Sequence, residues 1–134
     1  MLIVETYIGP VSGKGIGLFA GQFIPKGSVY WIRDLNFDRE FSPDELEALQ
    51  EPGRTYIQKH GFLQSDGKWY LCGDNARFSN HSDQPNSINQ FDDHQRIIKC
   101  VAAIDICEGE EITCDYRDTC RTCANGLPFD VFPD

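Results

Sequence analysis

A dense polar run at residues 76–86 lies between two apolar, strand-like regions of the chain. Most of its side chains can form hydrogen bonds, and Pro85 restricts the backbone near its end. Ser, Asn and Asp side chains bind neighbouring backbone groups, so such a run favours a structured turn over a helix or a sheet ladder. The run is too polar to build a hydrophobic core. We therefore expect either an exposed linker or a folded loop that lines a site.

The sequence around this run is typical of a mostly β domain with many short strands. Segments rich in β-branched and aromatic residues predict strands at 2–8, 28–32, 56–57, 69–71, 88–91, 96–104 and 111–114. Three glycines at 11–17 predict a flexible loop whose backbone can approach a ligand closely. A weak internal repeat is also present, in which the same three residues recur at the same spacing: Ala20, Ile24 and Gly27, then Ala102, Ile106 and Gly109.

Only one helix is predicted, in the middle of the chain. Ser42 and Glu45 form a capping box, and Pro43 occupies the first helical position. A short apolar stripe follows, and a Pro-Gly pair at 52–53 is expected to end the helix. The sequence therefore predicts a β domain with one small helical insert.

The composition describes a single globular domain with an acidic surface. Its 134 residues suffice for an independent core, and 21 acidic against 12 basic residues give a formal net charge of −9. Nucleic acid is a poor partner for such a chain, because its phosphates bind clusters of Lys and Arg. An acidic field instead attracts cationic partners.

The sequence shows no feature that predicts a membrane or an oxidising environment. The first residues lack the basic segment and apolar core of a signal peptide, and no apolar run approaches the ~20 residues that span a bilayer. The six cysteines are therefore expected in a reducing cytoplasm or nucleus. Three of them, Cys100, Cys107 and Cys114, fall in strand-like stretches and are predicted to be small buried side chains.

Three motifs carry a resemblance to a known family. Residues 73–82, GDNARFSNHS, followed by Pro85 and Asn86, resemble the central motif of the SET-domain protein lysine methyltransferases. Residues 14–20, KGIGLFA, resemble the family's N-terminal glycine motif. Residues 109–116, GEEITCDY, resemble its C-terminal motif, which ends in the catalytic tyrosine. All three motifs occur in the family's order.

The resemblance implies a mostly β, β-clip-like SET-domain fold of several small curled sheets with one short helical insert. In this fold the central motif and the C-terminal segment form a pseudoknot, which explains how a polar run can be structured between strands. The resemblance implies a catalytic domain at 1–116, with a variable insert at 33–72 that shapes substrate choice. A short tail at 117–134 is expected to pack on the active site.

The resemblance also implies an activity, the transfer of a methyl group from S-adenosylmethionine to a lysine in a basic protein segment. Histone is the family's commonest target class. Tyr116 would be the catalytic residue, with its hydroxyl beside the transferring methyl group, where it orients the lysine nitrogen and helps to stabilise the sulfonium. Tyr56, favoured over Tyr70, would line the lysine channel from the insert.

The resemblance assigns the methyl donor to residues of all three motifs and of the tail. Gly15 and Gly17 would let the loop backbone contact the donor, because a Cβ would intrude. Asn80 and His81 would hold its amino-acid and adenine parts, the histidine largely through its backbone. The expected cofactor-binding set is Lys14, Gly15, Ile16, Gly17, Asn80, His81 and Phe129, with Phe132 as the alternative to Phe129 as an adenine cover or channel wall.

The chain departs from the family at one position, and this keeps other function classes open. Many members carry a cysteine after the Asn-His-Ser triplet that joins a C-terminal zinc cluster, whereas this chain has Asp83. Cys120 and Cys123 provide only half of a tetrahedral zinc site, so no metal is expected. The alternatives are a catalytically idle SET-fold module that binds peptide or cofactor, and a small zinc or redox module. Phe78 is expected to be a core residue, with Arg77 as scaffold.

Overall fold

A computed structural model describes residues 1–118 of the chain. Its regular structure consists mainly of short strands, with helices confined to the middle of the chain. The strands are β1 (Thr6–Val11), β2 (Gly15–Ala20), β3 (Val29–Ile32), β4 (Arg39–Phe41), β5 (Phe62–Leu63), β6 (Trp69–Leu71), β7 (Asn80–His81), β8 (Ser87–Phe91), β9 (Ile97–Ala102) and β10 (Thr113–Cys114). The helices are α1 (Pro43–Ala48) and α2 (Gly53–His60), and 3₁₀ turns occupy Asn75–Phe78 and Tyr116–Asp118.

The strands of the described residues form four small sheets. Strands β1 and β2 make an antiparallel hairpin, and β3, β9 and β8 make a three-stranded antiparallel sheet. Strands β4, β6 and β5 form another, which belongs to the insert. Strands β7 and β10 pair in parallel, so the two segments predicted to form a pseudoknot lie side by side. The prediction of a mostly β fold with several small sheets is confirmed.

The first strand differs from its predicted bounds. It begins at Thr6 and continues through Gly9 and Pro10, whereas the predicted strand began at residue 2 and ended at residue 8. Proline is tolerated because β1 is an edge strand, hydrogen-bonded only to β2 among the described strands. The predicted glycine loop is correspondingly shorter, since β2 already begins at Gly15.

The helix prediction is half right. Helix α1 has the expected capping box, in which Ser42 Oγ accepts the Glu45 N–H at 3.1 Å and Glu45 Oε1 accepts the Ser42 N–H at 3.1 Å. A second helix, α2, was missed, and Tyr56 and Ile57, predicted as a strand, lie inside it. Gly53 begins this helix instead of ending the preceding one. A stop signal was available, because Lys59 and His60 in the last turn precede a glycine at the C-cap.

The internal repeat corresponds to a real pairing. Ile24 and Ile106 form an antiparallel bridge with reciprocal hydrogen bonds, and both side chains are buried. The Gly27 N–H donates to the Ala102 carbonyl, while the Gly109 N–H donates to the Ala20 carbonyl. Both glycines have positive φ, which permits the two turns. The two copies therefore pack against each other and join the N-terminal and C-terminal motifs.

Two apolar clusters hold the domain together. The main core lies among the hairpin, the sheet of β3, β9 and β8, and the C-terminal segment. Its fully buried members include Leu18, Tyr70 and Ile112. The insert has a smaller cluster of its own, made of Phe41, Leu46, Ile57 and Trp69. The insert therefore has some packing of its own and is also anchored in the main core through Tyr70.

The prediction of buried cysteines holds only in part, since Cys100 and Cys114 are partly exposed and Cys72 is the buried one among the described cysteines. Cys72, Cys100, Cys107 and Cys114 are all free thiols. Burial raises the pKa of Cys100 to about 12 and raises the pKa of Cys114 strongly, so both are neutral thiols. The prediction for Cys107 is wrong, since it lies exposed in the turn before Gly109. Among the described helices, none is long and apolar enough to cross a membrane.

Candidate active site

The polar run at 76–86 is a folded loop, not a linker. Asp74 begins it by accepting the Ala76 N–H on its side chain at 3.1 Å, which starts a 3₁₀ turn. The run then enters β7, whose pairing with β10 places Asn80 opposite Thr113 and His81 opposite Cys114. The loop is therefore anchored at both ends by hydrogen bonds.

The amide of Asn80 joins all three motifs. Its Nδ2 donates to the Ile16 carbonyl at 3.2 Å and to Glu111 Oε2 at 2.9 Å. These contacts bridge the glycine motif, the central motif and the C-terminal motif, which are far apart in the sequence. We call the group formed by Ile16, Gly17, Asn80 and Glu111 the Asn80 clasp.

The two motif glycines are required for different reasons. A Cβ on Gly17 would lie 2.6 Å from Glu111 Oε2, 2.6 Å from Val11 Cγ2 and 3.0 Å from Asn80 Nδ2. Gly17 is thus needed so that the clasp can close. Gly15 has open space where a Cβ would lie, but its φ of +78° is the left-handed conformation that glycine adopts most readily.

A second asparagine holds the C-terminal motif from its other side. Asn86 Nδ2 donates to the Glu111 carbonyl at 2.7 Å, and Asn86 Oδ1 accepts the Thr113 N–H at 2.9 Å. Ser87 Oγ adds a donor to the Thr113 carbonyl at 2.6 Å. The side chains of Asn86 and Ser87 therefore hold the segment that leads to Tyr116.

Tyr116 lies directly against the Asn80 loop. Its hydroxyl donates to the Ser79 carbonyl at 2.6 Å, and its backbone N–H donates to His81 Nδ1 at 3.1 Å. Its ring and the His81 imidazole are 5.4 Å apart between centroids. Lys14 reaches the same place from the hairpin, where its Nζ donates to the His81 carbonyl at 2.5 Å.

Lys14, Ser79 and Tyr116 border a cleft of about 310 Å³, whereas Gly17 and His81 are not among its described lining residues. Its walls come from residues 14–16 of the hairpin, 59–60 of α2, 77–80 of the central motif, and Tyr116. The structure thus brings together most of the residues that the resemblance assigns to the methyl donor. Phe129, Phe132, Cys120 and Cys123 lie outside the described residues.

The charge of the cleft is opposite to that of the whole chain. Lys14, Lys59 and Arg77 line it, and no carboxylate is among its lining residues within 1–118. His60 lines it as well, and burial together with the nearby positive charge of Lys59 lowers the pKa of this histidine. The cleft therefore fits a ligand with at least one anionic group.

A smaller cavity of about 70 Å³ adjoins the cleft. Tyr116 lies on the wall that the two share, together with the other residues that line both, which are Lys59, His60, Arg77 and Ser79. The rest of the small cavity includes apolar side chains from β5 and the central motif, with Phe62 and Leu63 the largest. It has room for a slender aliphatic chain.

Neither insert tyrosine lies on this cleft. Tyr70 is fully buried, and its hydroxyl donates to Asp38 Oδ2 at 2.5 Å. Tyr56 is absent from the cleft and cavity linings in the described part of the chain. Its hydroxyl accepts a hydrogen bond from Arg77 Nη1 at 2.9 Å, and its ring packs against the His60 imidazole with the centroids 4.4 Å apart, so it contacts two of the residues that line the cleft.

Several lining residues were not predicted from the sequence. Lys59 and His60 belong to α2, the helix that the sequence did not predict, and Phe62 lies just after the C-cap of that helix. Phe78 was predicted to be a core residue, but it is half-buried and faces the cleft. Within residues 1–118, no group of His, Cys, Asp or Glu side chains is arranged to hold a metal ion.

The comparisons with known proteins identify the family. The SET-domain family model matches residues 15–117, which is most of the chain. The class defined by this fold and by these three joined motifs is therefore that of SET-domain proteins, and this chain belongs to that family. Among curated proteins, the comparison found no match.

Solved structures show the same fold at low sequence identity. A Plasmodium falciparum protein named as a candidate histone methyltransferase is 21% identical with a TM-score of 0.59, covering 84% of this chain and 93% of that one. A chain of Chaetomium thermophilum Polycomb Repressive Complex 2, bound to S-adenosylmethionine, is 24% identical with a TM-score of 0.63, covering 87% of this chain and 15% of that one. KRYPTONITE, in complex with mCHH DNA, an H3(1-15) peptide and SAH, is 20% identical with a TM-score of 0.57, covering 86% of this chain and 24% of that one.

Proposed function

We propose that this protein is an S-adenosylmethionine-dependent protein lysine N-methyltransferase. The observation that carries the proposal is the position of Tyr116. Its hydroxyl is held by the Ser79 carbonyl, and the residue lies on the wall shared by a polar cleft and a narrow apolar cavity. A phenol on the wall shared by a donor site and an acceptor channel is the arrangement that methyl transfer requires, because the reaction depends mainly on aligning two reactants.

The residues of the cleft fit the methyl donor. Its methionine part carries a carboxylate, and Lys14, Lys59 and Arg77 surround the cleft with positive charge. The left-handed turn at Gly15 leaves backbone open to the cleft, without a Cβ in the way. When bound, S-adenosylmethionine supplies a methyl group already activated on a sulfonium. Lys14, Gly15, Ile16, Asn80 and His81 are the residues that we propose hold it, His81 largely through its backbone.

Gly17 contributes to this site indirectly. The clash that a Cβ at Gly17 would make is with Glu111, Val11 and Asn80, so its direct neighbours are protein atoms. We propose that Gly17 supports donor binding by letting the Asn80 clasp close. This differs from the role that the resemblance assigns to it.

The small cavity fits the methylene stem of a lysine. Phe62 and Leu63 offer apolar surface to the stem, while Ser79 and Tyr116, joined by the hydrogen bond from the phenol to the Ser79 carbonyl, also line the cavity. The amine must arrive neutral, although the reference pKa of lysine is about 10.4. Its nitrogen needs a free lone pair because it would accept the methyl group that bound S-adenosylmethionine supplies, and the methylated amine would then lose a proton. Tyr116 would orient that nitrogen.

The substrate that we propose is a lysine in a basic protein segment such as a histone tail. The net charge of −9 favours a cationic partner and disfavours nucleic acid. KRYPTONITE, a fold relative, is in complex with an H3(1-15) peptide, although DNA is also in that complex. The free thiols of the described residues fit the reducing cytoplasm or nucleus where such substrates occur.

The tail completes this proposal. We propose that residues 117–134 pack on the active site formed by residues 1–116, and that Phe129 covers the adenine. Truncation after residue 118 is then expected to weaken donor binding while leaving the fold intact. Calorimetry with S-adenosylmethionine and a thermal unfolding curve would measure both effects.

Replacing Tyr116 tests the proposed function. Tyr116→Phe keeps the ring and removes the hydroxyl that aligns the reactants, so it should retain donor binding and slow single-turnover transfer about 100-fold or more. The measurement uses labelled S-adenosylmethionine with core histones or a cell extract, followed by mass spectrometry of the labelled lysine. Tyr56→Phe should lose less, since that hydroxyl reaches the cleft only through Arg77. Tyr7→Phe, an exposed tyrosine stacked on Phe19, is the matched control.

Two results would contradict the proposal. Transfer by Tyr116→Phe at the wild-type rate would remove the residue from the mechanism. Donor binding by the wild-type protein without transfer to any histone or extract protein would favour the alternative of an idle SET-fold binding module.

A further inference from the structure

The imidazole of His81 is directed at Tyr116. His81 Nδ1 accepts the Tyr116 N–H at 3.1 Å, and only 15% of the histidine side chain is exposed. The resemblance assigns His81 to the donor largely through its backbone. The side chain therefore has a separate contact, which the family motif did not explain.

This contact determines the form of the imidazole. A backbone N–H can only donate, so Nδ1 must carry a lone pair, and the proton of the neutral ring must lie on Nε2. Nε2 lies 3.0 Å from Asp83 Oδ1, which accepts that proton in a hydrogen bond. The residue that stands in place of the family's cysteine thus accepts the Nε2 hydrogen bond of His81.

The surrounding charges are compatible with this arrangement. Asp115 Oδ1 lies 3.6 Å from Nδ1, beyond hydrogen-bond distance. Arg117 contacts Asp115 at 2.9 Å and Asp83 at 3.1 Å. Hydrogen bonds and charge from Arg117 lower the pKa of Asp115, so that carboxylate stays ionised. Both acids near the histidine are therefore paired with a cation.

Tyr116 is consequently held at its backbone and at its hydroxyl by two residues of the central motif. His81 holds its backbone N–H through the side chain, and Ser79 holds its hydroxyl through the main chain. Between them, Asn80 pairs with Thr113 in the parallel ladder. The direction of the phenol is thereby determined by the local structure of the loop.

We propose that His81 is a positioning residue for Tyr116, and that Asp83 holds its imidazole in the required tautomer. This inference rests on the proposed function in one respect, which is that the phenol of Tyr116 acts at the cleft. The contact itself can be tested without any activity measurement. Its consequence for the reaction is tested separately.

The first test uses the wild-type protein. Uniform ¹⁵N labelling should reveal a scalar coupling between the Tyr116 amide nitrogen and His81 Nδ1 across the hydrogen bond, at neutral or mildly alkaline pH. The chain has five tyrosines, so selective labelling gives five amide signals, and Tyr116 is the signal lost in Tyr116→Phe. Absence of the coupling, together with rapid exchange of this amide, would overturn the inference.

The second test uses two substitutions that separate the two ring nitrogens. In His81→Asn, the amide oxygen occupies the place of Nδ1 and can still accept the Tyr116 N–H. In His81→Gln, the amide matches Nε2 and keeps the contact with Asp83 alone. We expect slow Tyr116 amide exchange and most of the transfer rate in His81→Asn. We expect fast exchange in His81→Gln, with single-turnover transfer slowed about 100-fold by the misplaced phenol and little change in donor affinity.

The outcomes separate this inference from the proposed function. Equal amide exchange in His81→Gln and wild type would overturn the positioning role. If exchange follows the expected pattern but the wild-type protein transfers no methyl group, the proposed function fails and the positioning role stands. If His81→Gln does not fold, the wild-type coupling and His81→Asn decide the matter. His94→Asn, at an exposed histidine in the β8–β9 turn, is the control.

Discussion

The Asn80 clasp and the insert at 33–72 are stabilised in contrasting ways. The clasp joins segments far apart in the sequence through few, mostly polar contacts around one amide. The insert consists of neighbouring elements, α1, α2 and the sheet of β4, β6 and β5, packed on a small apolar cluster. The first arrangement depends on exact atom positions, whereas the second tolerates adjustment.

This difference suggests how the two regions divide their tasks. A clasp in which an added methyl group would clash is suited to holding a donor and a phenol in fixed positions. The insert has a small core apart from the clasp, is tied to the main core through Tyr70, and through α2 supplies Lys59 and His60 to the cleft. We therefore expect changes in the clasp to affect donor binding and changes in the insert to leave it largely intact.

The largest effect is expected at the centre of the clasp. Asn80→Asp replaces a donor with a carboxylate that faces Glu111 and the Ile16 carbonyl, so two hydrogen bonds become repulsive contacts. We expect a loss of about 3 kcal/mol in the free energy of unfolding and loss of donor binding. Urea unfolding and calorimetry measure these quantities, with exposed Asn36→Asp as the control. Wild-type stability in Asn80→Asp would show that the clasp is dispensable.

A matched pair of glycines compares the two regions directly. Gly17→Ala places a Cβ 2.6 Å from Glu111 Oε2 and should cost about 2 kcal/mol of stability, with weaker donor binding. Gly53→Ala, at the start of α2, has open space and should change stability by less than about 1 kcal/mol, in the stabilising direction. Both are read from urea unfolding curves. Similar effects at the two glycines would remove the proposed contrast.

The smallest effect is expected at the capping box of the insert. Hydrogen bonds from Ser42, and then Arg39, lower the pKa of Glu45. Because its pKa falls on folding, Glu45 stabilises the fold above its unfolded pKa, and this contribution disappears as the pH falls through the folded value. In Glu45→Gln, the free energy of unfolding should therefore fall slightly less steeply as the pH is lowered from about 5 to about 3, and donor affinity should not change. If the free energy of unfolding of Glu45→Gln falls with decreasing pH in the same way as that of the wild type does, this assignment is contradicted.

Local signals in the sequence predicted the elements that local chemistry specifies. The capping box at Ser42 predicted α1, and segments rich in β-branched and aromatic residues predicted β3, β6, β8 and β9 close to their observed bounds. Even the repeat of Ile24 and Ile106 proved meaningful, since these two residues pair with each other. Each of these signals involves residues close in the chain or a pattern that repeats.

The errors arose where one local signal has two meanings. A Pro-Gly pair ends many helices, yet at 52–53 it begins one, and Tyr56 was consequently placed in a strand. Cys107 has apolar neighbours in the sequence but lies exposed in a turn. Only the packing of the surrounding elements distinguishes these cases.

By itself, the sequence determined the family, the mostly β character and the order of the three motifs, because these follow from residue identity and short-range pattern. Only the tertiary structure decided that the Asn80 amide lies between Ile16 and Glu111, and that the His81 imidazole faces the Tyr116 N–H. The physical reason is that a hydrogen bond depends on atom positions to within a few tenths of an ångström. For residues so far apart in the chain, those positions are set by the packing of the whole domain.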